Sequence, residues 1–117
     1  METVRQEDLD SMLHHHAELK NKTFSFLIVR DKNLKAAKLE NCIFESCDID
    51  ETSLREASID KCIFKNCYFR KASLNSALIR TSTFSGCIFA ETDFQHADVQ
   101  SLFIDCTFVI CCLSKAN

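Results

Sequence analysis

The 117-residue chain is 46% hydrophobic and contains ten phenylalanines, which is enough for one domain with a continuous core. Its net charge of −3 excludes a strongly basic nucleic-acid-binding surface, and no apolar run reaches the ~18 residues that a membrane span needs. One glycine and no proline argue against a loop-rich fold and favour a regular backbone in which nearly every N–H forms a hydrogen bond.

Residues 1–19 are predicted to form a short amphipathic helix that caps the rest of the domain. Thr3 and Gln6 resemble a capping box, and the apolar residues follow helical spacing: Val4, Leu9, Met12, Leu13 and Leu19. Three consecutive histidines point in three directions on a helix, so we expect exposed side chains rather than a metal site at His14, His15 and His16.

A large apolar residue occupies every fifth position from Leu34 to Val99. A period of five fits neither a helix, which repeats every 3.6 residues, nor a strand, which repeats every two, so the backbone must turn a corner in each repeat. The sequence therefore predicts a solenoid whose core holds these side chains: Leu34, Leu39, Phe44, Ile49, Leu54, Ile59, Phe64, Phe69, Leu74, Ile79, Phe84, Phe89, Phe94 and Val99.

The position two residues before each large residue is small or slim from Ala37 to Ala97. Runs such as Ala37–Leu39, Cys42–Phe44 and Cys62–Phe64 resemble the motif of the pentapeptide repeat family, and the resemblance covers residues 20–113. It implies a right-handed quadrilateral parallel β-helix, an all-β solenoid in which four pentapeptides form the four sides of each coil. It also implies a bacterial protein.

A second period of twenty residues supports coils of four sides. Residues 41–47 align with residues 61–67, so we expect about four and a half stacked coils with aromatic residues above aromatic residues. The same stacking places three opposite charges side by side, which predicts three ion pairs: Glu45 with Lys65, Asp50 with Arg70, and Glu51 with Lys71. The first coil departs from the pattern, because Lys22, Leu27 and Lys32 occupy small positions, and we expect the helix to pack there.

The period slips by one residue near Gln100. A shortened corner restores both patterns, with Ser101, Cys106 and Cys111 at small positions, and leaves residues 114–117 as a tail. The last coil then exposes its core, so we predict a homodimer through this end, a contact that similar proteins of the family often make. The candidate interface residues are Phe103, Phe108, Cys112 and Leu113.

Eight cysteines suggest a disulfide framework or a zinc site, but their spacing follows the five-residue period. We expect seven of them to act as compact core residues with unreactive thiols. Cys112 follows an inward position directly and should point outward, so it is the candidate for a reactive or bridging thiol.

The pattern contains no phosphate-binding loop and no catalytic triad, and neither cofactor nor metal is expected. His96 with Asp93 and Asp98 lies on outward positions and is expected to be solvated. We expect a non-enzymatic protein-interaction module of unassigned partner. The alternative is a DNA-mimicking protector or inhibitor of DNA gyrase or topoisomerase, the function of the family's quinolone-resistance members, although paired charges would weaken such mimicry. Without a signal peptide the expected location is the cytoplasm, and a secreted effector stays an alternative.

Overall fold

The computed structural model describes residues 1–117 and contains eleven short β-strands, one 3-10 helix and one α-helix. The 3-10 helix is Gln6–Asp8 and the α-helix, α1, is Leu9–Met12. The strands are β1 (Glu2–Thr3), β2 (Glu18–Lys20), β3 (Lys22–Ser25), β4 (Lys38–Glu40), β5 (Ile43–Glu45), β6 (Ser58–Asp60), β7 (Ile63–Lys65), β8 (Leu78–Ser85), β9 (Ile88–Ala90), β10 (Asp98–Ile104) and β11 (Thr107–Val109). Four residues of α-helix are too few to cross a bilayer.

The chain forms a parallel β-solenoid of about five turns, which confirms the predicted fold. Residues twenty positions apart pair in parallel along most of the chain, as Leu39 does with Ile59 and Phe44 with Phe64. The number of turns slightly exceeds the expected four and a half, because both termini join the stack.

Each turn has four faces, and stacked large residues form one column on the inside of each face. Face 1 holds Leu19, Leu39, Ile59, Ile79 and Val99; face 2 holds Phe24, Phe44, Phe64, Phe84 and Phe103; face 3 holds Val29, Ile49, Phe69, Phe89 and Phe108; face 4 holds Leu34, Leu54, Leu74, Phe94 and Leu113. These side chains are buried up to Phe94, and exposure begins only in the last coil.

Phenylalanine rings stack along faces 2 and 3. On face 2 the five rings lie nearly parallel, with centroids 4.3–4.9 Å apart. On face 3, Phe69, Phe89 and Phe108 stack at 4.8 and 4.9 Å. This spacing is that of neighbouring strands, so the backbone ladder and the rings reinforce the same register.

The corners are built by residues in the left-handed region. Nineteen residues other than glycine have positive φ, and each lies two positions after a large core residue or the equivalent place near the N-terminus. Before the last coil, their N–H groups bond to the next coil, as Asn41 does to the Asp60 carbonyl at 3.0 Å and Ser46 to the Lys65 carbonyl at 2.8 Å. These hydrogen bonds offset the steric cost of the left-handed conformation.

Small residues on different columns make different hydrogen bonds. The Cys47 and Cys67 thiols donate to the carbonyls of Phe24 and Phe44 at 3.2 and 3.3 Å. Alanines on face 4's corner instead use their backbone, as Ala57 donates its N–H to the Leu54 carbonyl at 3.0 Å. At the corner between faces 3 and 4 both kinds of bond occur together, because Thr52 donates its N–H to the Ile49 carbonyl at 3.3 Å and its hydroxyl to the Val29 carbonyl at 2.9 Å.

The predicted short N-terminal helix is confirmed, but it spans only Leu9–Met12 rather than residues 1–19. Val4 and Leu9 are buried at the five-residue spacing, and β1 pairs with β3, so the segment forms an irregular first coil. The predicted capping box is wrong: the Gln6 amide donates to the Ile28 carbonyl at 2.9 Å and accepts the Ile28 N–H at 2.8 Å. Leu9 and Leu13 are spaced as on a helix and Val4 and Leu9 as in the repeat, and stacking on the next coil decides between the two patterns.

Lysines at small positions do not disturb the second coil. Lys22 bonds to the Glu2 carboxylate and Lys32 to that of Asp10, so both side chains run outward to the N-terminal segment. Long lysine stems can cover apolar surface while the ammonium group reaches a polar partner.

The predicted slip near Gln100 is confirmed. The pairing of β10 with β8 shifts between Gln100 and Leu102, and the left-handed corner expected at residue 101 is missing. Residues 114–117 are not a free tail, because Asn117 donates its N–H to the Ala97 carbonyl and its own carbonyl accepts the Val99 N–H, at 2.8 and 2.7 Å.

Candidate interaction surfaces

The C-terminal end of the solenoid is an open apolar recess of about 430 Å³. Phe108 and Leu113 remain 45% and 58% exposed, whereas their counterparts one coil earlier are buried. The recess is lined by Phe94, Val99, Ser101, Phe103, Phe108, Leu113, Ala116 and Asn117. The outer edges of β10 and β11 have no strand neighbour, so the end presents both apolar surface and unpaired backbone.

Three of the four candidate interface residues meet in this recess: Phe103, Phe108 and Leu113. Cys112 does not line it. Its sulfur lies on the outside of face 4, where it accepts the Gln95 amide at 2.8 Å. The suggestion of a reactive or bridging thiol at Cys112 stays a prediction.

Sequence reasoning missed four exposed apolar residues around the same end. We call this group the apolar rim, and it comprises Leu102, Ile104, Val109 and Ile110. Their counterparts in the preceding coil are Thr83, Ser85, Ala90 and Glu91. A comparison of outward positions between coils would have revealed the change from polar or small residues to large apolar ones.

The N-terminal end differs from the C-terminal end, because residues 1–16 cover its core. Leu9 and Leu13 are buried there. The outer surface of the segment is charged, with Arg5 forming ion pairs to Glu7 and Asp8 at 3.3 and 3.4 Å. The two ends therefore offer a second molecule very different surfaces.

Charges on the faces are largely paired between coils. The buried Asp50 carboxylate accepts the Arg70 backbone N–H at 2.8 Å and lies 2.7 Å from its guanidinium. The predicted Glu45–Lys65 pair forms at 4.0 Å. The predicted pair of Glu51 with Lys71 is wrong, because neither side chain forms an ion pair, although corner side chains can meet between coils, as those of Asn21 and Asn41 do at 2.7 Å.

Additional ion pairs join Arg30 to Asp48 at 2.5 Å and Arg80 to Asp98 at 2.7 Å. Hydrogen bonding within the pair holds the pKa of Arg30 above its ordinary value. Since most of these acids have a basic partner one coil away, the faces carry mixed charge rather than an acidic surface.

The cysteines are arranged as core residues rather than as a metal site. Cys42, Cys47, Cys62, Cys67 and Cys87 are buried, and all eight thiols are free. Hydrogen bonds to the neighbouring thiols Cys47 and Cys87, together with burial, raise the pKa of Cys67. Burial likewise raises the pKa of Cys106. By contrast, hydrogen bonds from the stacked thiols of Cys62 and Cys67 lower the pKa of Cys42, Cys47 and Cys87, so the uniformly raised pKa values expected for buried thiols are not found.

The histidines and acidic residues are not gathered into a metal-binding group. His14, His15 and His16 are exposed, and no three His, Cys, Asp or Glu residues lie close enough to hold an ion. His96 is also exposed, while its neighbours are engaged elsewhere: Asp93 with Asn75 and Asp98 with Arg80.

Several solved structures resemble this chain at low sequence identity. A trypsin-treated form of QnrB1, a plasmid-mediated fluoroquinolone resistance protein, matches with a TM-score of 0.50 and 15% identity over 98% of this chain and 67% of its own. A pentapeptide repeat protein of the Arabidopsis thaliana thylakoid lumen has a TM-score of 0.49 and 15% sequence identity, and the match covers 86% of this chain and 63% of that protein. The pentapeptide repeat protein Rfr23 from the cyanobacterium Cyanothece 51142 has a TM-score of 0.44 and 15% sequence identity, and the match covers 86% of this chain and 59% of that protein. At this identity the likeness concerns the fold alone.

No curated protein sequence matches the chain significantly. The family model of the pentapeptide repeat region, however, matches residues 37–117, which is well over half of the chain. The matched part contains the stacked columns, the left-handed corners and the open end described above. This chain belongs to the pentapeptide repeat family.

Proposed function

We propose that this chain is a non-enzymatic protein-interaction module whose C-terminal coil binds a second copy of the chain. The observation that carries the proposal is the open recess at that end, in which Phe103, Phe108 and Leu113 meet. A core left uncovered in water costs about 25 cal/mol per Å² of apolar surface, so its burial favours association.

The polarity of the solenoid favours contact between two C-terminal ends. The N-terminal end is covered by its own charged segment and carries Glu7 and Asp10 outside. A head-to-tail stack would place these acids against Phe108, whereas a two-fold contact joins apolar surface to apolar surface. Such a contact is closed and stops at two copies.

Sedimentation velocity at tens of micromolar tests the proposal with two matched phenylalanine variants. We expect the unmodified chain to be a dimer and Phe108→Ser to be a monomer with retained circular dichroism. Phe26→Ser removes a highly exposed phenylalanine near the other end and should remain a dimer. A monomeric unmodified chain, or equal effects of both substitutions, would show that the proposal is wrong.

A cytoplasmic location forms part of the proposal. The core holds five fully buried free thiols in stacked columns, and such thiols persist in a reducing compartment.

A second candidate is a DNA-mimicking protector or inhibitor of DNA gyrase or topoisomerase, and it rests on the fold shared with QnrB1. The paired charges Asp50–Arg70 and Glu45–Lys65 weigh against it, since a mimic of duplex DNA needs an unpaired acidic surface. A supercoiling assay with and without a quinolone separates the candidates. We expect no inhibition and no protection at micromolar protein.

A further inference from the structure

The apolar rim is confined to two adjacent faces of the last coil. Leu102 and Ile104 point outward from face 2, Val109 from face 3, and Ile110 forms the corner between faces 3 and 4. The outward residues on the other side of the same coil are polar: Asp98, Gln100, Cys112, Ser114 and Lys115. The end is therefore apolar on one side only.

Ile110 is unfavourable in an isolated molecule for two independent reasons. Its φ of 52° places a β-branched residue in the left-handed region, where such residues are rare because of steric strain. Its side chain is 81% exposed, the highest value among the large apolar residues. Corners elsewhere mostly carry polar or small residues, such as Asn66, Ser76 and Glu91, which are better suited to a left-handed backbone and to exposure to water.

A flat end-to-end contact would leave the rim uncovered. The cross-section of the solenoid measures about 26 by 25 Å, so a flat contact projects over less than the roughly 800 Å² per partner that is typical of stable complexes. It would also leave the outward-facing Leu102 and Ile110 in water. Additional buried area is available only on the side of faces 2 and 3.

The chemistry of the rim fits a second copy of this chain. Residues 99–117 contain only two charged side chains, Asp105 and Lys115. The rims of two copies can therefore meet across a two-fold axis without repulsion between like charges. The same scarcity of basic residues disfavours an anionic membrane, which attracts clusters of lysine and arginine.

We propose that the two copies meet at an angle, with each molecule tilted toward faces 2 and 3 so that the apolar rims pack against each other. This inference rests on the proposed self-association and specifies its geometry. The two solenoid axes are then bent about the edge formed by Val109 and Ile110. The strained corner is retained because its isoleucine is buried only in the dimer.

Ile110→Asn tests this geometry without weakening the fold, because asparagine tolerates both the left-handed region and water. We expect the variant to raise the melting temperature of the monomer at submicromolar concentration and to weaken dimerisation at least tenfold. The matched control is Leu78→Ser, which removes an exposed apolar residue from face 1, away from the end. It should leave the dimer dissociation constant unchanged.

Small-angle scattering supplies a second readout. One molecule is 35 Å long, so collinear copies would give a maximum dimension near twice that length, and an angled dimer a clearly shorter one. A monomeric unmodified chain would overturn the proposed function and this inference together. A dimer that is collinear, or that Ile110→Asn leaves intact, would overturn the angled geometry alone.

Discussion

At the scale of single residues, the small inward positions are chosen for hydrogen bonding as well as for size. Thr52 and Thr92 donate to the carbonyls of Val29 and Phe69 at 2.9 and 2.6 Å, the same bond that the thiols of Cys47 and Cys67 make. Cysteine and threonine are thus alternative donors at equivalent places, whereas the Ser82 hydroxyl donates to the Arg80 carbonyl and accepts the Cys62 N–H. A sequence reading based on volume alone treats them as interchangeable with alanine.

Substitutions of Cys67 distinguish the contribution of its hydrogen bond from the contribution of its volume. Cys67→Ala removes the bond to the Phe44 carbonyl and leaves a small cavity, so it should lower the free energy of unfolding by about 1–2 kcal/mol. Cys67→Ser keeps a donor and should cost less. Urea denaturation measures both.

Ala77→Ser is the control for this pair. Ala77 is fully buried in a filled core, so a serine here adds volume and a polar group where no thiol made room for one. The added hydroxyl should destabilise the fold more than Cys67→Ser does. If the two serine variants lose the same stability, the thiol at position 67 acts only as an apolar residue.

At the scale of elements, the regular coils could be predicted from sequence and the ends could not. The five- and twenty-residue periods specify the columns and even the slip near Gln100, because each coil repeats the same packing. The N-terminal segment gives a mixed pattern, because Val4 and Leu9 keep the five-residue spacing whereas Leu9 and Leu13 are spaced as on a helix. Asn117 joins the stack through backbone atoms alone, which no side-chain pattern reports.

The candidate surface was predicted to a similar extent. Phe103, Phe108 and Leu113 follow from the inward period, and they meet in the recess. Ile110 and its rim neighbours were missed because outward residues carry no period. Apolar outward residues become informative only when compared with the coil before.

Gln6 joins the N-terminal segment to the next coil through its side-chain amide. This amide forms the two hydrogen bonds to Ile28 that a neighbouring strand would form with its backbone. Gln6→Ala removes both bonds to Ile28, so we expect faster hydrogen exchange at the Ile28 amide by tenfold or more. Gln6→Glu keeps the acceptor and should give an intermediate rate. Glu7→Ala, at an exposed neighbour, should leave this amide unchanged. Equal exchange in all variants would mean that Gln6 does not hold the segment.

At the scale of the whole molecule, each coil contacts only the coils directly before and after it. Strand pairs join residues about twenty positions apart, and no loop connects distant coils. Stability is then close to a sum of coil and interface contributions, and whole coils should be removable units.

Deletion of residues 41–60 tests this independence. The deletion brings Phe64 next to Phe24 and preserves every column, so we expect a folded, shorter solenoid with lower stability, as measured by circular dichroism and thermal unfolding. Deletion of residues 41–55 removes three sides rather than four and misaligns the faces. It should unfold or aggregate. If both shortened chains fold equally well, column identity contributes little to the fold.

Apart from those of the last coil, which include Ile110, the left-handed corners carry backbone strain at places that lie outside the proposed contact with a second copy. Glycine adopts positive φ without the steric cost of a side chain, and this chain uses it at one corner, Gly86, against nineteen corners with other residues. The strain is thus distributed around the outside of the molecule, in residues that do not support the core. Protein engineers could replace corner residues such as Glu56 or Lys71 by glycine and gain stability while every face, and both ends, kept its surface chemistry.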